Sequence, residues 1–209
     1  MYQLIGVTRL LGFYAIAVAL LAVVIGERLD AGPVEWLRYI STSGTIIAGI
    51  AYILGETPLF PWLCRRRPIS WVFPDIDGQW VGQMASNWPR IANRGAVEPP
   101  PLKPVEAAIR IKARFFSLHL HLITTDKYSE SETIVVGIRK KESGDIVLAY
   151  LYNNLTKHPE QTDCQQHDGA GLVNIRTDGA APTIDGVYWT NRNWAKGLNT
   201  AGTVEWRKV

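Results

Sequence analysis

The sequence predicts two N-terminal transmembrane α-helices followed by an all-β domain, an antiparallel eight-stranded β-barrel. Three features predict it. Two long apolar runs precede Arg65, the triplet Arg65-Arg66-Arg67 follows them directly, and from Asp75 onward apolar and polar residues alternate between turn signals. The expected organisation is a two-helix membrane hairpin over residues 1–64, a basic linker over 65–74 and a cytoplasmic ligand-binding barrel over 75–209.

The first apolar run, Leu10 to Ile25, carries no charge, and Leu4 and Ile5 extend it past Arg9. A crossing needs about 20 apolar residues, which Leu4 to Ile25 supply if Arg9 snorkels to the headgroups. A secretory signal is the competing reading; the run is long for one, and no small-residue cleavage site follows it. The second run, from Trp36 to about Leu54 with the continuation TPLFPWL, is diluted by Arg38, Ser41, Thr42, Ser43, Gly44 and Thr45. Ser41, Thr45 and Gly49 fall four apart on one helical face, with Gly44 and Ala48 beside them, where small residues let backbones approach. That face is expected to pack on the first helix, or also between protomers.

Between the runs, GERLDAGPVEW reads as a polar hairpin turning at Gly32-Pro33. Positive residues stay on the cytoplasmic side. The arginine triplet therefore places the C-terminal part in the cytoplasm, and Arg9 with the terminal amine places the N-terminus there too. The expected location is a bacterial inner membrane, two-pass, both termini inside.

The formal net charge is +3, and from Asp75 onward the two signs nearly balance. Duplex nucleic acid demands a basic face that releases counterions, so a polymeric nucleic acid partner is not expected. A small anion needs only one or two placed donors. The two cysteines, Cys64 and Cys164, form no disulfide framework or zinc spacing.

In the C-terminal part, strands are expected near Gly78–Ala85, Val105–Arg114, Ser117–Thr125, Glu132–Lys140, Ile146–Tyr152, Gly171–Arg176, Thr183–Trp189 and Thr203–Arg207. Turn signals stand at Glu142-Ser143-Gly144-Asp145, Thr177-Asp178-Gly179 and Asp185-Gly186. Short links between successive strands favour a meander, and eight strands suffice to close it and remove the edges. Two connections are long, Ser86–Pro104 with its stiff Pro99-Pro100-Pro101 run, and Asn153–Asp168. Leu148, Tyr150 and Tyr152 share one face. His119 and His121 share another, and a solvent-facing pair is preferred there to a metal site, for want of a near third ligand. No Gly-rich phosphate loop, His-Glu-x-x-His or Gly-x-Ser-x-Gly occurs, so no enzyme is expected.

The order of several short motifs resembles a known family. Gly78/Trp80/Gly82, Ser129/Ser131, Tyr150/Tyr152/Asn154, His167/Gly169 and Gly186/Tyr188/Trp189/Thr190/Arg192 look like the successive signatures of the two-transmembrane, β-strand-rich effectors of cyclic-oligonucleotide anti-phage signalling (CBASS). The asparagine is doubled (Asn153-Asn154), and Asp168 separates His167 from its glycine. The resemblance implies a cyclic dinucleotide as activating ligand and no other cofactor. It also implies a partner nucleotidyltransferase that makes the ligand on infection, assembly into a homo-oligomer, and damage to the lipid bilayer.

Such a ligand presents flat bases, phosphates and base edges, to be met by aromatic faces, a guanidinium and an amide. Tyr150, Tyr152, Asn154, Tyr188, Thr190 and Arg192 are the residues expected to bind it, at one mouth of the barrel. Barrel core is the competing reading for the aromatics, and an exposed loop charge for Arg192. A ligand that switches assembly must bind the two states unequally. The site is therefore expected to touch a protomer interface or to control the contact made by the Ser86–Pro104 loop. The alternative function is a membrane-tethered, lipocalin-like barrel for a lipid or small apolar ligand.

Overall fold

The computed structural model of the chain describes residues 1–28, 32–125, 128–177 and 181–209. The middle of the expected hairpin between the spans, 29–31, and Asp178-Gly179 of the turn after Thr177 lie outside the described residues. The rest falls into two compact units, Met1–Phe73 with Arg114–Ser117, and Pro74–Ala113 with Leu118–Val209.

The first unit holds helices α1 (Val7–Arg28), α2 (Pro33–Glu56) and α3 (Leu59–Cys64). A 3₁₀ turn over Tyr2–Leu4 ends at Gly6, whose φ of +88° favours glycine, so α1 begins at Val7 and Leu4-Ile5 stay outside it. Glu35 caps α2 by accepting the Gly32 N–H at 2.7 Å. Both long helices have 22-residue stretches apolar enough to cross a membrane. Leu11, Phe13, Ile16, Leu20 and Ile53 stand exposed on them. The second apolar run does not continue to Arg65 as one helix: α2 stops at Glu56, and α3 is a separate short turn.

The contact with α1 runs beside the expected row, through Gly44, rather than through the row itself. Ser41, Thr45 and Gly49 are exposed. The contact is made instead around Trp36, whose ring lies where a Cβ on Gly26 would stand 2.6 Å away, and around Gly44, whose carbonyl accepts the Tyr14 hydroxyl at 3.1 Å. Two large side chains that need a glycine and an acceptor decide the pairing. The hydroxyls left outside are satisfied within the helix: Thr42 donates to the Arg38 carbonyl and Thr45 to that of Ser41. Below the helices, Phe60, Phe73, Phe115 and Phe116 stack edge to face. The Met1 amine donates to the Phe115 carbonyl at 2.9 Å, and burial lowers its pKa to about 6.

The second unit is a closed barrel of eight strands in sequence order: β1 (Gly78–Ser86), β2 (Lys103–Ala113), β3 (Leu118–Thr124), β4 (Ser129–Lys140), β5 (Ile146–Thr156), β6 (Gln166–Arg176), β7 (Thr183–Thr190) and β8 (Ala201–Lys208). Every neighbour is antiparallel, and β1 closes on β8 with Met84 opposite Val204. Closure removes the edges along which sheets aggregate. A Cβ on Gly82 would stand 2.0 Å from the Glu205 carbonyl, and one on Gly202 1.9 Å from that of Ala85, so glycine lets β1 and β8 approach at the seam. The β1–β2 connection holds one short helix, α4 (Trp88–Ala92).

The lumen has two unlike halves. At one end Ile76, Trp80, Ile109, Ile111, Leu148, Ile184 and Trp206 are all but fully buried, and the Trp80 indole donates to the Ile76 carbonyl at 3.0 Å. At the other end the buried inward positions are Ser86, Thr124, Ser131, Asn154, Thr156, Thr190 and Thr200. One break in alternation separates the two halves of β4. Its register on β5 shifts between Thr133 and Val135, so Ile134 is a bulge. Before it Ser129, Ser131 and Thr133 share the lumenal parity; after it Val136 and Ile138 do.

Candidate functional site

The polar half of the lumen opens into a cavity of about 350 Å³, and all six expected residues, Tyr150, Tyr152, Asn154, Tyr188, Thr190 and Arg192, line it. That size is within the common range for small-molecule sites. The aromatics are barrel wall and cavity lining at once, so the two readings offered for them describe one location.

Tyr150 and Tyr152 project inward from β5 with ring centroids 5.9 Å apart. They lie on glycine. Tyr150 is paired with Gly171 and Tyr152 with Gly169 on β6, and a Cβ on either glycine would stand 2.3 Å from the partner ring. The spacing Tyr-x-Tyr on one strand and Gly-x-Gly on the next is thus one device: flat rings over a bare backbone floor. Burial pushes both tyrosine hydroxyls, and that of Tyr188, above the ordinary phenol value, so they remain neutral donors.

Parity resolves the doubled asparagine. Asn154 points into the lumen, where its amide donates to the Ser131 hydroxyl at 2.8 Å and its carbonyl accepts from Thr156 at 3.4 Å. Asn153 is on the outer face, tied to Asp168 and Gln166. Thr190 and Thr200 share a hydrogen bond of 3.0 Å across the turn that carries Arg192. His119 points outward, and His121 is bound to Glu130 at 2.6 Å.

Arg192 is at the mouth. Its guanidinium lies 4.4 Å over the Trp88 ring, a cation–π stack, and is paired with Asp163. Its buried Nε has no hydrogen-bond partner among the described residues, and neither has the indole nitrogen of Trp206, deeper on the same cavity wall. Unsatisfied buried donors are costly and mark places where a ligand can supply the acceptor. His167, on β6 opposite Asn154, is held below the usual imidazole value by burial first and the Arg192 charge second.

Sequence reasoning missed Trp88, Tyr128, Asp163, Lys103 and Trp206, all of which line the cavity. Four come from connections or strand starts, with no periodicity to announce them. Ser131 and His167 were visible in the resemblance but were not assigned to the site.

A hydroxyl- and tyrosine-lined cavity inside a closed barrel, with one stacked arginine at its mouth, is the architecture of a binding protein for a small polar anion. Residues 71–208 match Cap15, cyclic dinucleotide receptor domain. A relative, CD-NTase-associated protein 15 of Escherichia albertii, is 30% identical over 176 residues, spanning 82% of this chain and 81% of the relative. The chain belongs to the Cap15 family, the CBASS effector family that the sequence motifs resemble.

Proposed function

We propose that this chain is an effector of a CBASS antiviral defence system whose barrel binds a cyclic dinucleotide made by a partner nucleotidyltransferase. The observation that carries the reading is Arg192: a guanidinium stacked on Trp88 at the cavity mouth, with a buried Nε donor left over. A planar guanidinium suits a phosphate bidentately. Tyr150, Tyr152 and Tyr188 offer faces to the bases, and Asn154 and Thr190 offer polar edges. The hydroxyl-rich mouth disfavours a lipid or purely apolar ligand.

In this reading α1 and α2 cross the inner membrane, with both termini cytoplasmic. Ligand-driven assembly of protomers disrupts the bilayer and ends the infected cell. The arginine triplet at 65–67 supports that orientation, and the two 22-residue apolar stretches support the crossing. The test is titration calorimetry of the full chain in detergent with a panel of cyclic dinucleotides. At least one is expected to bind, and Arg192→Ala to weaken it by about tenfold or more, in line with loss of a charge-assisted contact. Equal affinity in wild type and variant would remove Arg192 from the site.

A further inference from the structure

Asp163 lies on the connection between β5 and β6, in the stretch 157–165 that passes the cavity mouth. Its carboxylate is only 9% exposed and is spent twice, on the Arg192 guanidinium and on the Tyr128 hydroxyl. The neighbouring Thr162 carbonyl accepts from Arg192 Nη2 at 3.4 Å and from the Asn193 amide at 2.9 Å. Glu160, Thr162 and Asp163 all face the cavity. The connection is thus strapped to the β7–β8 turn through the one arginine that a phosphate would seek.

Two anions cannot share that arginine cheaply. The pair is largely out of water, with Arg192 only 15% exposed, and like charges brought together in such surroundings repel strongly. A phosphate drawn to the spare Nε brings a second anion against the Asp163 carboxylate. We propose that Asp163 sets the charge requirement of this cavity: it is an internal stand-in for the ligand's phosphate, and binding is an exchange of one anion for another on Arg192. A neutral molecule of the right shape gains no such exchange and leaves the strap in place. A phosphodiester releases Thr162 and Asp163 from the mouth, which gives ligand-free and ligand-bound barrels two different surfaces there. Unequal surfaces are what a ligand needs in order to bias any later step.

This inference rests on the cyclic dinucleotide reading of the site, and its test separates the two. Full-length wild type, Asp163→Asn and Tyr128→Phe are titrated in detergent with the same cyclic dinucleotide panel, and amide exchange is followed over 157–165. Asp163→Asn is expected to bind tighter by about tenfold, a coupling of the usual size between linked sites, and Tyr128→Phe to bind tighter by less. In wild type, ligand is expected to speed exchange in the strap. Affinity unchanged or lowered in Asp163→Asn, or slower exchange on binding, overturns the proposal while leaving the ligand reading intact. If no dinucleotide binds wild type or either variant, the ligand reading itself fails and the exchange with it. Thermal melting checks that Asp163→Asn folds; if it does not, the sign of the Tyr128→Phe effect decides.

Discussion

His167 is pulled in two directions. Burial and the Arg192 charge lower its pKa, while Asp163 and Asp168 raise it, and the lowering wins. In the folded chain it is neutral at pH values where an unfolded chain has begun to protonate it. The unfolded state therefore binds more protons just below pH 6.5, and stability falls as pH falls from there toward the folded pKa. The Met1 amine acts in the same sense between pH 8 and about 6. The comparison that isolates the histidine is His167→Gln against wild type, melted at pH 7.5 and 5.5. Wild type is expected to lose more, by on the order of 1–2 °C. An equal loss in both would mean that His167 is as free to protonate folded as unfolded.

Residues also show what a single sequence can carry. Tyr150, Tyr152 and Asn154 were legible because alternation fixes which side chains share a face, and the structure places all three on the lumenal one. Asp163 was not legible. Nothing in Thr162-Asp163-Cys164 distinguishes it from a solvated loop acid, because its role depends on Arg192, distant in sequence and adjacent only after closure.

Among the elements, all eight strands were legible, and their ends show where legibility stopped. Strand ends at the apolar end of the lumen fall within a residue of expectation. The large differences are at the polar end: β4 begins at Ser129 rather than Glu132, β5 runs to Thr156 rather than Tyr152, and β6 begins at Gln166 rather than Gly171. There the inward residues are serine, threonine, asparagine and histidine, because they line a cavity, and polar-in alternation reads as loop. The Ile134 bulge adds a phase slip that no period-two template follows. Strand ends were readable where the barrel is core and blurred where it lines the cavity.

The pairing of β5 with β6 carries its own prediction. Gly171→Ala puts a methyl 2.3 Å from the Tyr150 ring. The ring must leave its floor, at a cost of about 1–3 kcal/mol for overpacking, measured by denaturant unfolding. Adding Tyr150→Val is expected to return most of the stability but none of the ligand affinity. Full stability in Gly171→Ala alone would show that the ring has somewhere else to go.

At the scale of the whole molecule, the proposed function turns the exposed face of α2 and the apolar outer surface of α1 toward a bilayer and other protomers. In the proposed function, a cyclic dinucleotide shifts the protein toward larger assemblies. Native mass spectrometry of the detergent-solubilised chain, with and without ligand, is expected to show that shift. An unchanged distribution would leave a receptor without the assembly step. The two long apolar helices were legible from hydropathy and length alone; the helix contact was not, because it depends on Trp36 finding Gly26 and Tyr14 finding Gly44.

Trp80 and Trp206 stopper the far end of the lumen, each with essentially no exposure. A barrel sealed in this way is a cul-de-sac. Among the described residues, what enters the cavity leaves by the mouth, and the same few residues there govern arrival and departure. In the proposed function, the duration of the alarm is then a residence time, set by the doorway and adjustable by substitutions there without rebuilding the chamber behind it.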